Sequence, residues 1–144
     1  MQHGMKWLAL VGLIGLWACD SRHSPAAFHL PAGDIDRGKM AFLDLGCHSC
    51  HEVTGKDLPA PSVQPAVPVK LGGVVERRLS DAYIVTALLD PSYQLAPYDK
   101  TQITSEGKSR MPCYAGKMTT QQMIDVVAFL QSRYALRRWS PEYF

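Results

Sequence analysis

The sequence predicts an all-α fold, and three observations carry that prediction. Apolar residues recur at helical spacing in three segments, each with acidic or hydroxyl residues suited to its N-terminal end. No stretch alternates apolar and polar residues with the period of two that a half-buried strand needs, and no segment repeats. The 144 residues suffice for one domain, and a content of 47% hydrophobic and 19% charged residues suits a globular one.

The chain begins with a targeting segment, residues 1–19. Lys6 and the terminal amine precede an apolar run from Trp7 to Trp17. That run has the length of a secretory core and falls short of the roughly 20 residues a membrane-spanning helix needs. It ends in Leu16-Trp17-Ala18-Cys19, which resembles the lipobox of bacterial lipoproteins, although Trp17 stands where a small residue is usual. The expectation is an exported protein, acylated at Cys19 and held by that lipid anchor on the periplasmic side of a membrane. Residues 20–33, with Ser21, Ser24, Pro25 and Pro31, lack hydrophobic periodicity and read as a flexible tether. The folded domain is expected over 34–144.

Within it, Asp34 to Leu45 has a helical pattern. Ile35, Phe42 and Leu45 can share a face with Gly38, Asp34 and Asp36 suit the positive helix end, and Gly46 closes the helix. Gly38 costs about 1 kcal/mol relative to Ala in mid-helix, so a packing reason is expected. Four prolines (59, 61, 65, 68) exclude helix and central strand and predict an extended loop. Ser80 opens a second helix, Asp81–Leu89, with Ile84, Ala87 and Leu88 on one face and Pro91 ending it. Residues 94–110 are polar and irregular. Thr119 and Gln122 form a capping box for a last helix, whose stripe is Met123, Val126, Val127, Leu130 and Tyr134 and which runs to Arg133 or Arg137.

The chemistry lies in Cys47-His48-Ser49-Cys50-His51. Two thiols about one helical turn apart can each form a thioether on one porphyrin edge, and the adjacent imidazole then becomes the proximal iron ligand. A bare C-x-x-C also serves redox and zinc sites. Here His51 follows at once, the chain is exported, and no second C-x-x-C supplies further zinc ligands. One covalent haem c is the expected cofactor. For the sixth iron position no histidine follows His51. His3, His23, His29 and His48 precede it, and three of them fall in the leader or tether. Met111, Met118 and Met123 remain. Met123 lies on the apolar stripe and reads as core; Met118 adjoins the helix cap. Met111 is preferred, because Pro112 stiffens the loop that would present its sulfur.

The order Gly38-x-x-x-Phe42, Cys47-His48-Ser49-Cys50-His51, Met111-Pro112 and Val126-x-x-Phe129-Leu130 resembles a class I, mitochondrial-type cytochrome c, here in a bacterial lipoprotein form. The likeness covers about Asp34 to Tyr134 and extends to Leu71-Gly72-Gly73 and Leu88-Leu89-Asp90-Pro91. It implies the small cytochrome c fold, with N- and C-terminal helices crossing over one covalently bound haem. It further implies that Gly38 receives Phe129, and that a proline carbonyl, from Pro61 or Pro68, accepts the proximal imidazole N–H.

The implied function is one-electron transfer with no substrate turned over, serving a respiratory or periplasmic redox enzyme or a membrane complex. Partners would be redox proteins, donor and acceptor unidentified, and the membrane. A formal charge of +2 without a basic run argues against nucleic acid. Arg77, Arg78 and Arg110 read as solvated charge or haem-propionate partners, and Lys108, Arg110 and Lys117 flank Met111 as a docking ring or ordinary surface. A gas-sensing haem or a peroxidase would want a distal donor, and residues 94–110 offer none. Cys113 is expected to be a buried, inert thiol.

Overall fold

A computed structural model describes residues 28–137 apart from 56 and 66. The expected targeting segment with Cys19, the first part of the expected tether, His3, His23 and the residues after 137 lie outside the described residues. The expected all-α chain needs one correction. Four helices are joined by two short strand pairs, in the order α1 (Ile35–Asp44), β1 (Gly73–Val75), α2 (Asp81–Leu89), α3 (Lys100–Ile103), β2 (Thr104–Ser105), β3 (Lys108–Ser109), α4 (Thr120–Ser132) and β4 (Tyr134–Leu136). β1 runs parallel to β4, and β2 pairs antiparallel with β3. Strands of two or three residues are too short to display a period. No helix among the described residues is long and apolar enough to cross a membrane.

The helix starts follow the capping chemistry. The Asp34 carboxylate accepts the Arg37 N–H, the Ser80 hydroxyl accepts that of Tyr83, and Thr119 and Gln122 close both bonds of the capping box. α1 ends at Leu45 because Gly46 adopts φ 72°, a left-handed conformation a side chain would disfavour. α4 stops at Ser132, and the chain straightens into β4. Ile35 is the exception on α1: it is 48% exposed, and the buried residues are Gly38, Ala41 and Phe42.

The core lies between α1 and α4, with Ile84 and Leu88 of α2 against it. Phe42, Val126 and Phe129 are almost wholly buried, each worth about 2 kcal/mol of transfer free energy. The Phe42 and Phe129 rings meet at 5.6 Å between centroids, tilted by 53°. A Cβ on Gly38 would overlap the Asp125 carbonyl group and come within 2.8 Å of Phe129 Cβ. The implied pairing of Gly38 with Phe129 is therefore present, and glycine is the residue that lets the two backbones touch.

One charged side chain is buried at this seam. Asp125, 2% exposed, accepts the Asp34 N–H at 2.8 Å, Arg37 Nε at 2.9 Å and Gln121 Nε2 at 2.9 Å. The bond from Arg37, then that from Asp34, holds its carboxyl at about 2. A second network closes the other end of α4. Arg133 grips Asp57 through two bonds of 3.0 and 2.8 Å and stacks over Phe129, while Lys39 reaches the same carboxylate at 3.0 Å. The folded unit also begins earlier than Asp34. Leu30 packs on the core with its N–H on Asp81, and a Cβ on Gly33 would meet the Ile124 carbonyl at 2.7 Å.

Candidate functional site

Gly46 turns the chain out of α1 straight into a single 3₁₀ turn, Cys47–Ser49. Ser49 fastens that turn: its N–H and hydroxyl both donate to the Gly46 carbonyl, at 3.0 and 2.6 Å. The N–H groups of Cys50 and His51 then donate to the Cys47 carbonyl. Both thiols and the imidazole consequently spring from one compact loop. Neither thiol is in a disulfide; Cys47 is buried and Cys50 half-buried. Burial pushes the Cys47 thiol up from its ordinary value. His48 lies in the same turn, its Nδ1 buried without a hydrogen-bond partner.

His51 is oriented by the main chain. Its Nδ1 lies 3.1 Å from the Val69 carbonyl. A carbonyl can only accept, so Nδ1 carries the hydrogen and Nε2 keeps its lone pair for a metal. This corrects the expectation of Pro61 or Pro68 as the acceptor. The physical reason is register: Val53 forms a parallel bridge with Leu71, through Thr54 N–H to the Leu71 carbonyl and Leu71 N–H to the Glu52 carbonyl, both 2.8 Å. Two residues back along each strand stand His51 and Val69, so the imidazole continues the ladder. Val63 N–H, on the Ser49 carbonyl at 2.8 Å, ties the proline-rich loop to the same turn.

The Met111 segment is lashed at both ends. Arg110 N–H donates to the Ile103 carbonyl at 2.9 Å, closing the β2–β3 hairpin, and Met111 N–H reaches Ser109 Oγ at 3.2 Å. Beyond it, Tyr114 N–H donates to the Leu88 carbonyl at 2.9 Å. Met111 is half-buried against the core, and so are Met118 and Met123, so burial alone does not rank the three. Cys113 is exposed, with its thiol on the Leu89 carbonyl at 2.9 Å; the expected buried thiol is thus a surface one, because α2 ends before covering it. Arg77, Arg78, Lys108, Arg110 and Lys117 are all exposed.

Sequence reasoning missed Tyr114, which is 8% exposed and donates its hydroxyl to the Leu45 carbonyl at 3.3 Å. Burial, then the neighbouring Cys47 sulfur, pushes its phenol up to about 12. Its position three residues after Met111 carried no signal, because a tyrosine in a polar loop reads as surface.

The donor set suits a haem held by two thioethers and one imidazole. Two unpaired thiols share a turn with a histidine whose Nε2 is free, and the thiol nearer the core already sits in a dry setting fit for an apolar sulfur. Among the described residues no three His, Cys, Asp or Glu side chains converge as a metal cluster. A family model described as Cytochrome c matches residues 35–133. No curated protein and no solved structure matches the chain.

Proposed function

The chain belongs to the cytochrome c family of haem-binding electron carriers, and we propose that it is a class I, monohaem member, working as a lipid-anchored one-electron carrier on the periplasmic side of a bacterial membrane. The family's cofactor, and this chain's, is covalently bound haem c. When bound, haem c supplies Fe(II)/Fe(III) exchange of one electron. In this reading Cys47 and Cys50 would hold the haem through thioethers, and His51 Nε2 and the Met111 sulfur would be its iron ligands. The observation that carries it is the His51 imidazole, locked by the Val69 carbonyl beside two unpaired thiols, one in a 3₁₀ turn and the other capping it.

Each residue then has a task. The Val69 carbonyl fixes the ring and leaves Nε2 as the nitrogen that can face a metal. A methionine thioether is soft and favours Fe(II), which raises the reduction potential relative to histidine ligation. Phe42, Phe129 and Val126 keep the α1–α4 seam dry and rigid, which limits reorganisation when the electron arrives. Cys19 supplies the anchor, and donor and acceptor are redox proteins that meet the exposed face of the site.

The decisive experiment is maturation of the full chain in an exporting host. The product should carry one haem through denaturing electrophoresis and acid-acetone extraction. Loss of haem on extraction would overturn the thioethers. Met111→Ala should abolish the near-infrared sulfur–iron band, lower the midpoint potential and admit CO, with Met118→Ala nearly silent; the reverse pattern moves the ligand to Met118. Cys19→Ser should release the protein from membranes, and its retention in high salt would overturn the lipid anchor.

A further inference from the structure

Tyr114 is the buried polar side chain that the haem-holding residues leave without a task. Its hydroxyl donates to the carbonyl of Leu45, the residue that ends α1 and leads into the attachment turn. A helix end leaves such carbonyls without an intrahelical donor, so the phenol satisfies a group that is otherwise orphaned. Its main chain is fixed separately, on the Leu88 carbonyl of α2. Tyr114 thereby bolts together three pieces: the end of α1 with the attachment turn, the end of α2, and the loop that carries Met111 three residues upstream. On the other side of Met111 the anchors are hairpin bonds from Arg110 and Met111 N–H groups. Pro112 stiffens the short span between, so the downstream anchor is felt at the methionine.

We propose that Tyr114 is a positioning residue whose hydroxyl holds the Met111 loop closed against the attachment turn and so keeps the methionine sulfur on the iron. The proposal rests on the reading of Met111 as distal ligand. Closed, the loop keeps the Leu45 carbonyl paired; open, that carbonyl meets water. Replacing the tyrosine by phenylalanine preserves the ring and its burial but leaves the closed loop with an unpaired acceptor, which shifts the balance towards opening. A small nitrogen ligand that competes with methionine for ferric iron reads that balance directly.

The test uses haem-loaded wild type, Y114F, M111A and the double variant, titrated with imidazole in the ferric state while the near-infrared band is followed. Y114F should retain the band without imidazole yet bind imidazole about fivefold more tightly, the size of one buried neutral hydrogen bond. In the M111A background the same substitution should change nothing, since no methionine is left to hold. Equal affinities for wild type and Y114F would overturn the proposal. So would a matching gain in the M111A background, which marks general loosening, or failure of Y114F to take up haem, which marks a folding role. A wild type without the band that binds imidazole as readily as M111A would instead remove Met111 as ligand, and the proposal would fall with it.

Discussion

The α1–α4 seam and the loops that carry the site chemistry are held by different forces. The seam is close-packed. Gly38 lies on the backbone of α4, two phenylalanines meet at a tilt, and one carboxylate is sealed in by donors from three residues. The loops are largely half-buried, and a few hydrogen bonds fix their geometry: the Val69 carbonyl for His51, and Arg110, Met111 and Tyr114 N–H groups with the Tyr114 hydroxyl for the Met111 segment. Burial over many atoms resists any one substitution only until volume changes, and then the whole seam pays. A single bond can be cut with little loss of stability. The division separates folding from function along the chain.

That contrast can be broken or sharpened by experiment on the haem-loaded protein. The largest effect should come from Phe129→Ala, which empties the middle of the seam and should lower unfolding free energy by about 4 kcal/mol. Chemical denaturation measures it, and a loss below about 1 kcal/mol would place the main core elsewhere. Gly38→Ala comes next. Helix propensity favours alanine by about 1 kcal/mol. Overpacking against an α4 carbonyl that cannot swing aside should still win, for a net loss of about 2 kcal/mol.

The acid limb gives a third test. Asp125 and Asp57 both sit at about 2 in the folded protein, against an ordinary 3.8. Unfolding therefore takes up protons as pH falls from about 4 to about 2, so their contribution is present above that window and is lost through it. Denaturant midpoints should drop over that range, and Asp125→Asn should flatten the drop. A variant as steep as wild type would mean that other carboxylates set the acid limb. Smallest of all should be Cys113→Ser, which keeps a donor for the Leu89 carbonyl on an exposed surface and should shift stability by about 0.5 kcal/mol or less. Val69→Ala should likewise leave the optical spectrum unchanged, because its contact with His51 is made by the main chain.

What could be read in the sequence follows the same division. Ser80, Thr119 with Gln122, and Gly46 announce helix ends through local chemistry, and those ends were legible to within a residue or two. Gly38 was legible through its cost, and the cysteine pair with His51 through spacing. The rest depends on distant pairing. β1 and β4 meet across about sixty residues of chain, the Val53–Leu71 bridge decides that Val69 faces His51, and neither leaves a periodic trace. α3 spans four residues, announced only by Asp99, whose carboxylate caps it. Ile35 looked like a core position because it lies three residues before Gly38. Its exposure shows that the seam is centred on Gly38, Ala41 and Phe42 instead.

The distance between the two halves of the seam also sets a clock. The bonds from Asp34 and Arg37 to Asp125 span 91 and 88 residues, and closing so long a loop waits on the far end of the chain. Cys47 belongs to the same buried cluster as Val126 and Phe129. During synthesis the Cys47–His51 segment emerges long before the helix whose Val126 and Phe129 complete that cluster. Until Thr120–Ser132 arrives, that cluster stays incomplete. The order of residues along the chain thus opens an interval in which the cluster around the first sulfur is unfinished, and the arrival of α4 ends it.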